Sequence, residues 1–236
     1  MSCPRTTDLA ADPRVRRGME AQLADRERRL AGGETSLGWK LGFGSAEAME
    51  GLGIAAPLVG FLTDRSPLPS DDAARIDDWA RPVVEPEVAV RLGADLAPGG
   101  DRAEAAGAIA AIAPAFELVD VDPPPTDVVE ILAGNIFHRH VVLAGEANVD
   151  PAEFAGLRGS VAHNGHERTV ADAQAGTGEL VGLIRHVADL LGEFGASLRA
   201  GEIVICGSVV PPIGVLPGDA VAYRIDPVGA ISLRLE

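Results

Sequence analysis

Three acidic residues carry the strongest chemical signal in this 236-residue chain. Glu85 and Glu87 flank Pro86, and residues two apart on a strand point to one face. Carboxylates that close must be solvated, share a proton or hold a cation. Glu117 lies in the apolar run 115–120, where a lone acid is costly unless paired or metal-bound. Glu85, Glu87 and Glu117 also have a plainer reading, as outward-facing acids on half-exposed strands. Together they form a candidate three-carboxylate site with open positions for a substrate. Two carboxylates plus water already suit a hard cation such as Mg²⁺.

The basic residues hold a second signal. Of 20 Lys and Arg, Lys40 is the sole lysine. Arg keeps its proton at any working pH, whereas a desolvated Lys can release one. Lys40 is either a position that Arg cannot fill or a chance survivor, and composition leaves both open. All five histidines lie at or beyond residue 138. His138 and His140 could ligate a metal as an i, i+2 pair, although strand-face or hydrogen-bonded histidines are the commoner case. Cys206, in an apolar strand, reads as a buried hydrophobe.

The elements that must position these residues follow from patterning. Residues 8–31 form an amphipathic helix ended by Gly32-Gly33. Strands cover 36–43 and 57–63, with a short helix capped by Ser45 between them. The polar stretch 64–80, with Pro67, Pro69 and Asp71-Asp72, suits a mobile loop or boundary. A strand over 82–92 puts Val84, Val88 and Val90 on one face and the two acids on the other. A small-residue helix is predicted over 103–112, a strand over 115–121, a helix from a Thr126 cap to Leu132, and a strand over 137–143. Asn164-Gly165 marks a hairpin between 160–163 and 167–170. A helix over 178–194 and strands over 202–206, 219–225 and 230–235 complete the chain. Clustered strands with few helices predict an α+β fold, not a doubly wound parallel sheet.

Composition excludes several classes. A net charge of −15 argues against nucleic acid or anionic membrane as partner. Apolar runs are too short for a membrane span, and the N-terminus lacks a signal-peptide pattern. Cys3 and Cys206 make neither a disulfide framework nor a metal motif, so the expected compartment is the cytoplasm. Gly42-Phe43-Gly44 lacks the third dinucleotide-binding glycine, and no nucleophile elbow surrounds Ser208.

Five segments in order carry a resemblance. They are Gly38-Trp39-Lys40-Leu41-Gly42 with 58–64 after it, Val84-Glu85-Pro86-Glu87-Val88-Ala89, Phe116-Glu117-Leu118-Val119-Asp120, Asn135, and Arg199-Ala200-Gly201-Glu202 with Gly207-Ser208. Together they resemble the 2-keto-4-pentenoate hydratase and 4-oxalocrotonate decarboxylase family of the fumarylacetoacetate hydrolase-like superfamily. The resemblance implies a mixed β-sheet roll with a few flanking helices. It implies Glu85, Glu87 and Glu117 as ligands of Mg²⁺ or Mn²⁺, with Glu85 and Lys40 in catalysis. Lys40, Asn135, Gly207 and Ser208 would contact the substrate.

The implied reaction is hydration of a 2-hydroxy-2,4-dienoate to a 4-hydroxy-2-oxo acid in the catabolism of aromatic-derived compounds. A 2-oxo acid can chelate a hard cation through its keto and carboxylate oxygens, which stabilises enolate charge. The alternatives are decarboxylation of a 2-oxo-3-enedioate and a non-catalytic partner subunit. The family's small residues after the Asn are here Ile136-Phe137-His138-Arg139-His140, so Arg139 is a candidate clamp for a second substrate carboxylate. No histidine lies early in the chain, which argues against a carbon–carbon hydrolase. Residues 1–80 are expected to supply the helix and a lid-like segment, and 81–236 the β-rich metal-binding core of one continuous domain. A homo-oligomer is expected.

Overall fold

The computed structural model describes residues 6–69, 73–122, 124, 126–148 and 154–236. Cys3 and the Asp71-Asp72 portion of the expected lid lie outside these residues. The chain runs α1 (Thr6–Ala11), α2 (Pro13–Ala31), β1 (Ser36–Gly42), α3 (Ala46–Leu52), β2 (Leu58–Thr63), β3 (Pro67–Leu68), β4 (Ala73–Ala74) and β5 (Pro82–Leu92). Next come α4 (Arg102–Ala108), β6 (Ile109–Asp120), α5 (Val128–Ala133), a tight turn over Asn135–Phe137 and β7 (His138–Leu143). The remainder is β8 (Arg158–His163), β9 (His166–Val170), α6 (Ala173–Thr177), α7 (Leu180–Gly192), β10 (Ile203–Ser208), β11 (Ile213–Gly214), β12 (Ala220–Asp226) and β13 (Gly229–Leu235).

Among the described residues there are two sheets. The larger has the order β2-β1-β10-β5-β6-β7-β3, with β11 pairing β5. The smaller has the order β4-β13-β12-β8-β9. Most pairs are antiparallel, but β1–β10, β3–β7 and β4–β13 are parallel. This is the expected α+β architecture of mixed sheets with flanking helices. No helix among the described residues is long and apolar enough to cross a membrane.

The larger sheet has two distinct faces. Trp39, Phe61, Val84, Val88, Phe116, Leu118 and Val142 belong to the main core, together with residues of α7 and the smaller sheet. Leu62 of β2, Val141 of β7 and Ile203 and Ile205 of β10 make a separate buried cluster. Strands near opposite ends of the sheet thus share one cluster, so the sheet curls into a roll.

Three expected elements need correction. The helix over 8–31 is broken after Ala11, because Asp12 caps α2 and Pro13 opens it. The helix over 103–112 stops at Ala108, and Ile109 begins β6. Pairing of Ile109, Ala111 and Ile112 with Leu92, Arg91 and Val90 overrides the helix preference of an alanine-rich stretch. The cap of α5 is Asp127 rather than Thr126, with its carboxylate accepting from Val129 and Glu130 N–H. The hairpin stands as expected, with Asn164 and Gly165 both at positive φ, as a type I′ turn requires.

Candidate metal centre

The acid face of β5 looks into the roll. Glu85 lies opposite Glu117 in the β5–β6 register, and Glu87 is one pleat further on. One carboxylate oxygen from each of Glu85, Glu87 and Glu117 lies within 4.8 Å of the others. Glu87 and Glu117 are buried, while Glu85 is half-buried as a residue. Lys40 enters from β1 and is 1% exposed. Its Nζ bonds to Glu117 Oε1 at 2.6 Å and donates to the Ile136 carbonyl at 3.2 Å. In a flat sheet β1 and β6 would lie ~14 Å apart, three strand spacings. The roll closes that gap.

The electrostatics follow from three acids and one ammonium in a confined space. Burial, then the Glu117 charge, push the Glu85 carboxyl up to about 7, against the pull of Lys40. Burial and both neighbouring acids hold Glu87 well above the usual carboxylate range. Burial would raise Glu117 too, but Lys40 and His138 outweigh it and keep this carboxyl low. Ionised together, the three acids leave two negative charges uncompensated by Lys40. Glu117 Oε2 is buried with no hydrogen-bond partner. An all-oxygen donor set with that charge fits a hard divalent cation.

The other candidate residues fall into different roles in the structure. Gly207 N–H donates to Glu87 Oε2 at 2.9 Å, so its backbone orients an acid of the cluster. The Ser208 hydroxyl faces the Pro86 and Val210 carbonyls, at 3.0 and 2.7 Å. Asn135 uses its amide on Phe61, with Oδ1 accepting from Phe61 N–H and Nδ2 donating to Phe61 C=O. Arg139 points away from the acids. It pairs with Asp120 at 3.3 Å and lies over the Trp79 ring.

Asn135, Ile136 and Phe137 all have positive φ, at 53°, 52° and 60°. For non-glycine residues this left-handed turn costs roughly 1–2 kcal/mol each. The side-chain amide of Asn135 and the buried side chain of Ile136, packed against Gly42, hold it in place. The turn delivers the Ile136 carbonyl to Lys40.

Ser66 was not singled out from sequence, and His138 was weighed there only as half of a metal pair with His140. His138 Nδ1 lies 2.7 Å from Glu117 Oε1, and its Nε2 lies 3.0 Å from the Ser66 hydroxyl. Ser66 is buried and lies in the stretch expected to form a loop. For His138 the sequence signals were its spacing from His140 and the bulky, cationic run after Asn135; for Ser66 there was none. His140 instead stacks on Trp79, so the two histidines do not converge as a metal pair. Cys206 is buried, and burial pushes its thiol well up, as suits a core residue.

A rolled mixed sheet carrying a buried lysine beside three clustered acids presents an all-oxygen donor set suited to a hard cation. The chain belongs to the family described as fumarylacetoacetate (FAA) hydrolase C-terminal, which residues 42–236 match. It is 26% identical over 213 residues to a 4-oxalocrotonate decarboxylase of Pseudomonas putida, covering 89% of this chain and 81% of that protein. It is 29% identical over 215 residues to a 2-hydroxyhexa-2,4-dienoate hydratase of Comamonas testosteroni, covering 87% of this chain and 80% of the relative. Among solved structures, 4-oxalocrotonate decarboxylase from Pseudomonas putida G7, complexed with magnesium and adipate, superposes with a TM-score of 0.85. That match has 25% identity and covers 93% of this chain and 85% of that one.

Proposed function

We propose that this chain is a divalent-metal-dependent lyase that hydrates a 2-hydroxy-2,4-dienoate to a 4-hydroxy-2-oxo acid in the catabolism of aromatic-derived compounds. The observation that carries this reading is the contact of the sole lysine, Lys40, with Glu117 inside the three-acid cluster. Glu85, Glu87 and Glu117 would hold Mg²⁺ or Mn²⁺. The ion, when bound, supplies electrophilic stabilisation of enolate charge on a 2-oxo acid.

The protein groups have separate tasks. An ammonium has three N–H donors, and Lys40 uses two on Glu117 and Ile136. The third is left for the substrate. Glu85 is the least buried residue of the three, and its carboxyl is the one assigned to exchange a proton with the incoming acid or water. The 2-hydroxyl loses its proton while the terminal carbon gains one, giving a conjugated 2-oxo-3-enoate. Water then adds across the new double bond. In this reading Asn135, Gly207 and Ser208 act by shaping the pocket, since their polar groups are engaged within the protein.

Decarboxylation of a 2-oxo-3-enedioate is the second reading, favoured by the structural likeness to a 4-oxalocrotonate decarboxylase. It shares the enolate. The reading extends to a homo-oligomer working in the cytoplasm, in keeping with the family resemblance and the free, buried Cys206. The test is the ultraviolet absorbance of 2-hydroxypenta-2,4-dienoate with protein and Mg²⁺, and an EDTA control. Metal-dependent loss of the dienol signal with a 4-hydroxy-2-oxo acid as product supports hydration. An unchanged dienol signal, with CO₂ released from 4-oxalocrotonate, replaces it by decarboxylation.

A further inference from the structure

Glu117 presents its two oxygens unequally. Oε1 is bonded by both Lys40 Nζ and His138 Nδ1, at 2.6 and 2.7 Å. Oε2 is buried and has no partner. The His138 ring is in turn fixed from its far side. Ser66 Oγ accepts from Thr63 N–H at 3.3 Å and lies 3.0 Å from His138 Nε2. An ionised carboxylate only accepts, so Nδ1 must carry a proton toward Glu117. In the neutral ring Nε2 then accepts, and the Ser66 hydroxyl donates to it. The hydrogen bonds therefore run in one direction, from Thr63 through Ser66 and His138 to Glu117 Oε1.

We propose that His138 is a positioning residue which, oriented by Ser66, locks Glu117 so that Oε2 alone is offered to the divalent cation. This rests on the metal reading given above. Lys40 alone does not fix the carboxylate, because an ammonium is a rotatable point donor. An imidazole held at both nitrogens is a planar, directional one. The ring is 6% exposed, so water cannot replace it. The consequence is one-oxygen ligation by Glu117, which leaves coordination positions for a chelating 2-oxo acid. Partners that orient a metal ligand from behind are worth about 10- to 100-fold in metal affinity.

The experiment is Mn²⁺ binding to the full chain without substrate, read by electron paramagnetic resonance of the free ion. His138→Phe keeps the ring volume and removes both nitrogens. It should weaken Mn²⁺ binding by about tenfold or more. In His138→Asn the side-chain amide takes the place of Nδ1–H, and binding should return to within about threefold of the parent. His138→Phe binding like the parent overturns the proposal, as does His138→Asn binding no better than His138→Phe.

Circular dichroism reports whether each variant is folded. Should His138→Phe fail to fold, Ser66→Ala decides. A loss of about threefold or more supports the proposal, and parent-like affinity overturns it. A parent chain that binds no Mn²⁺ overturns the metal reading itself. A parent that binds while His138→Phe binds equally well overturns the role of His138 alone.

Discussion

Asn135 supplies Phe61 with the two hydrogen bonds that a neighbouring strand would make. Its Oδ1 accepts from Phe61 N–H at 2.8 Å, and its Nδ2 donates to Phe61 C=O at 2.9 Å. β2 is an edge of the larger sheet, so this amide stands in for one rung of a missing strand. It also anchors the left-handed turn that brings Ile136 to Lys40.

Asn135→Ala should therefore act first on the fold. It leaves two main-chain groups of Phe61 unpaired, at roughly 1–3 kcal/mol each. It also puts alanine where asparagine better tolerates positive φ. The expected loss is about 2–6 kcal/mol in urea unfolding. Unchanged stability with a raised KM would instead assign the amide to the substrate.

Gly60 faces Lys40 across the β1–β2 pair. A Cβ there would meet Asn135 Oδ1 at 2.8 Å and Lys40 Cγ and Cε at 3.0 and 3.1 Å. Gly60→Ala should displace the lysine, lowering kcat for the dienoate by about 10- to 100-fold, as expected when a proton-transfer group is moved. The overpacking should cost about 1–3 kcal/mol. A parent-like kcat would mean that the position of Lys40 is not critical.

Removal of one carboxylate should remove the stabilising effect of the metal. At 100 times its dissociation constant, Mg²⁺ should stabilise the parent by about 2.7 kcal/mol, seen as a rise in Tm. Glu117→Gln keeps the shape and loses the charge, so most of that rise should vanish. An equal rise in the variant would place the ion elsewhere.

Much of this site was legible because strands alternate. Val84, Glu85, Val88 and Glu87 sort onto opposite faces from sequence alone, and the structure keeps that sorting. The rarity of lysine pointed to Lys40, and it is buried against Glu117. Alanine was less informative. Residues 109–112 look helical by composition, yet strand pairing claims them. The break at Asp12-Pro13 was written in a cap and a proline, but a continuous apolar stripe masked it. The partners of Asn135 and His138 are 74 and 21 residues away in sequence, and no local pattern encodes such contacts.

The tip of the smaller sheet carries a pH dependence unconnected with the metal. Asp219 accepts from Asn164 Nδ2 and Leu216 N–H and pairs with His163. The Asn164 bond, then the Leu216 and His163 bonds, hold its carboxyl down at about 2, below its ordinary 3.8. Between those values the unfolded chain binds more protons, so stability rises with pH. The contribution is complete above 3.8 and is lost as pH falls through about 2. Asp219→Asn should lower Tm near pH 6, and the gap from the parent should close on acidification. A gap constant from pH 6 to pH 2 would refute this.

The parallel pairing of β1 with β10 has a consequence for biosynthesis. Trp39 aligns with Val204 and Lys40 with Ile205, so the strand bearing the sole lysine waits for one made long after it. Pairings of such long range fold slowly, because loop closure precedes any reward. Until β10 leaves the ribosome, one side of β1 is an unpaired edge of the kind that recruits other chains. Nascent chains truncated before β10 should therefore depend most on holdase chaperones.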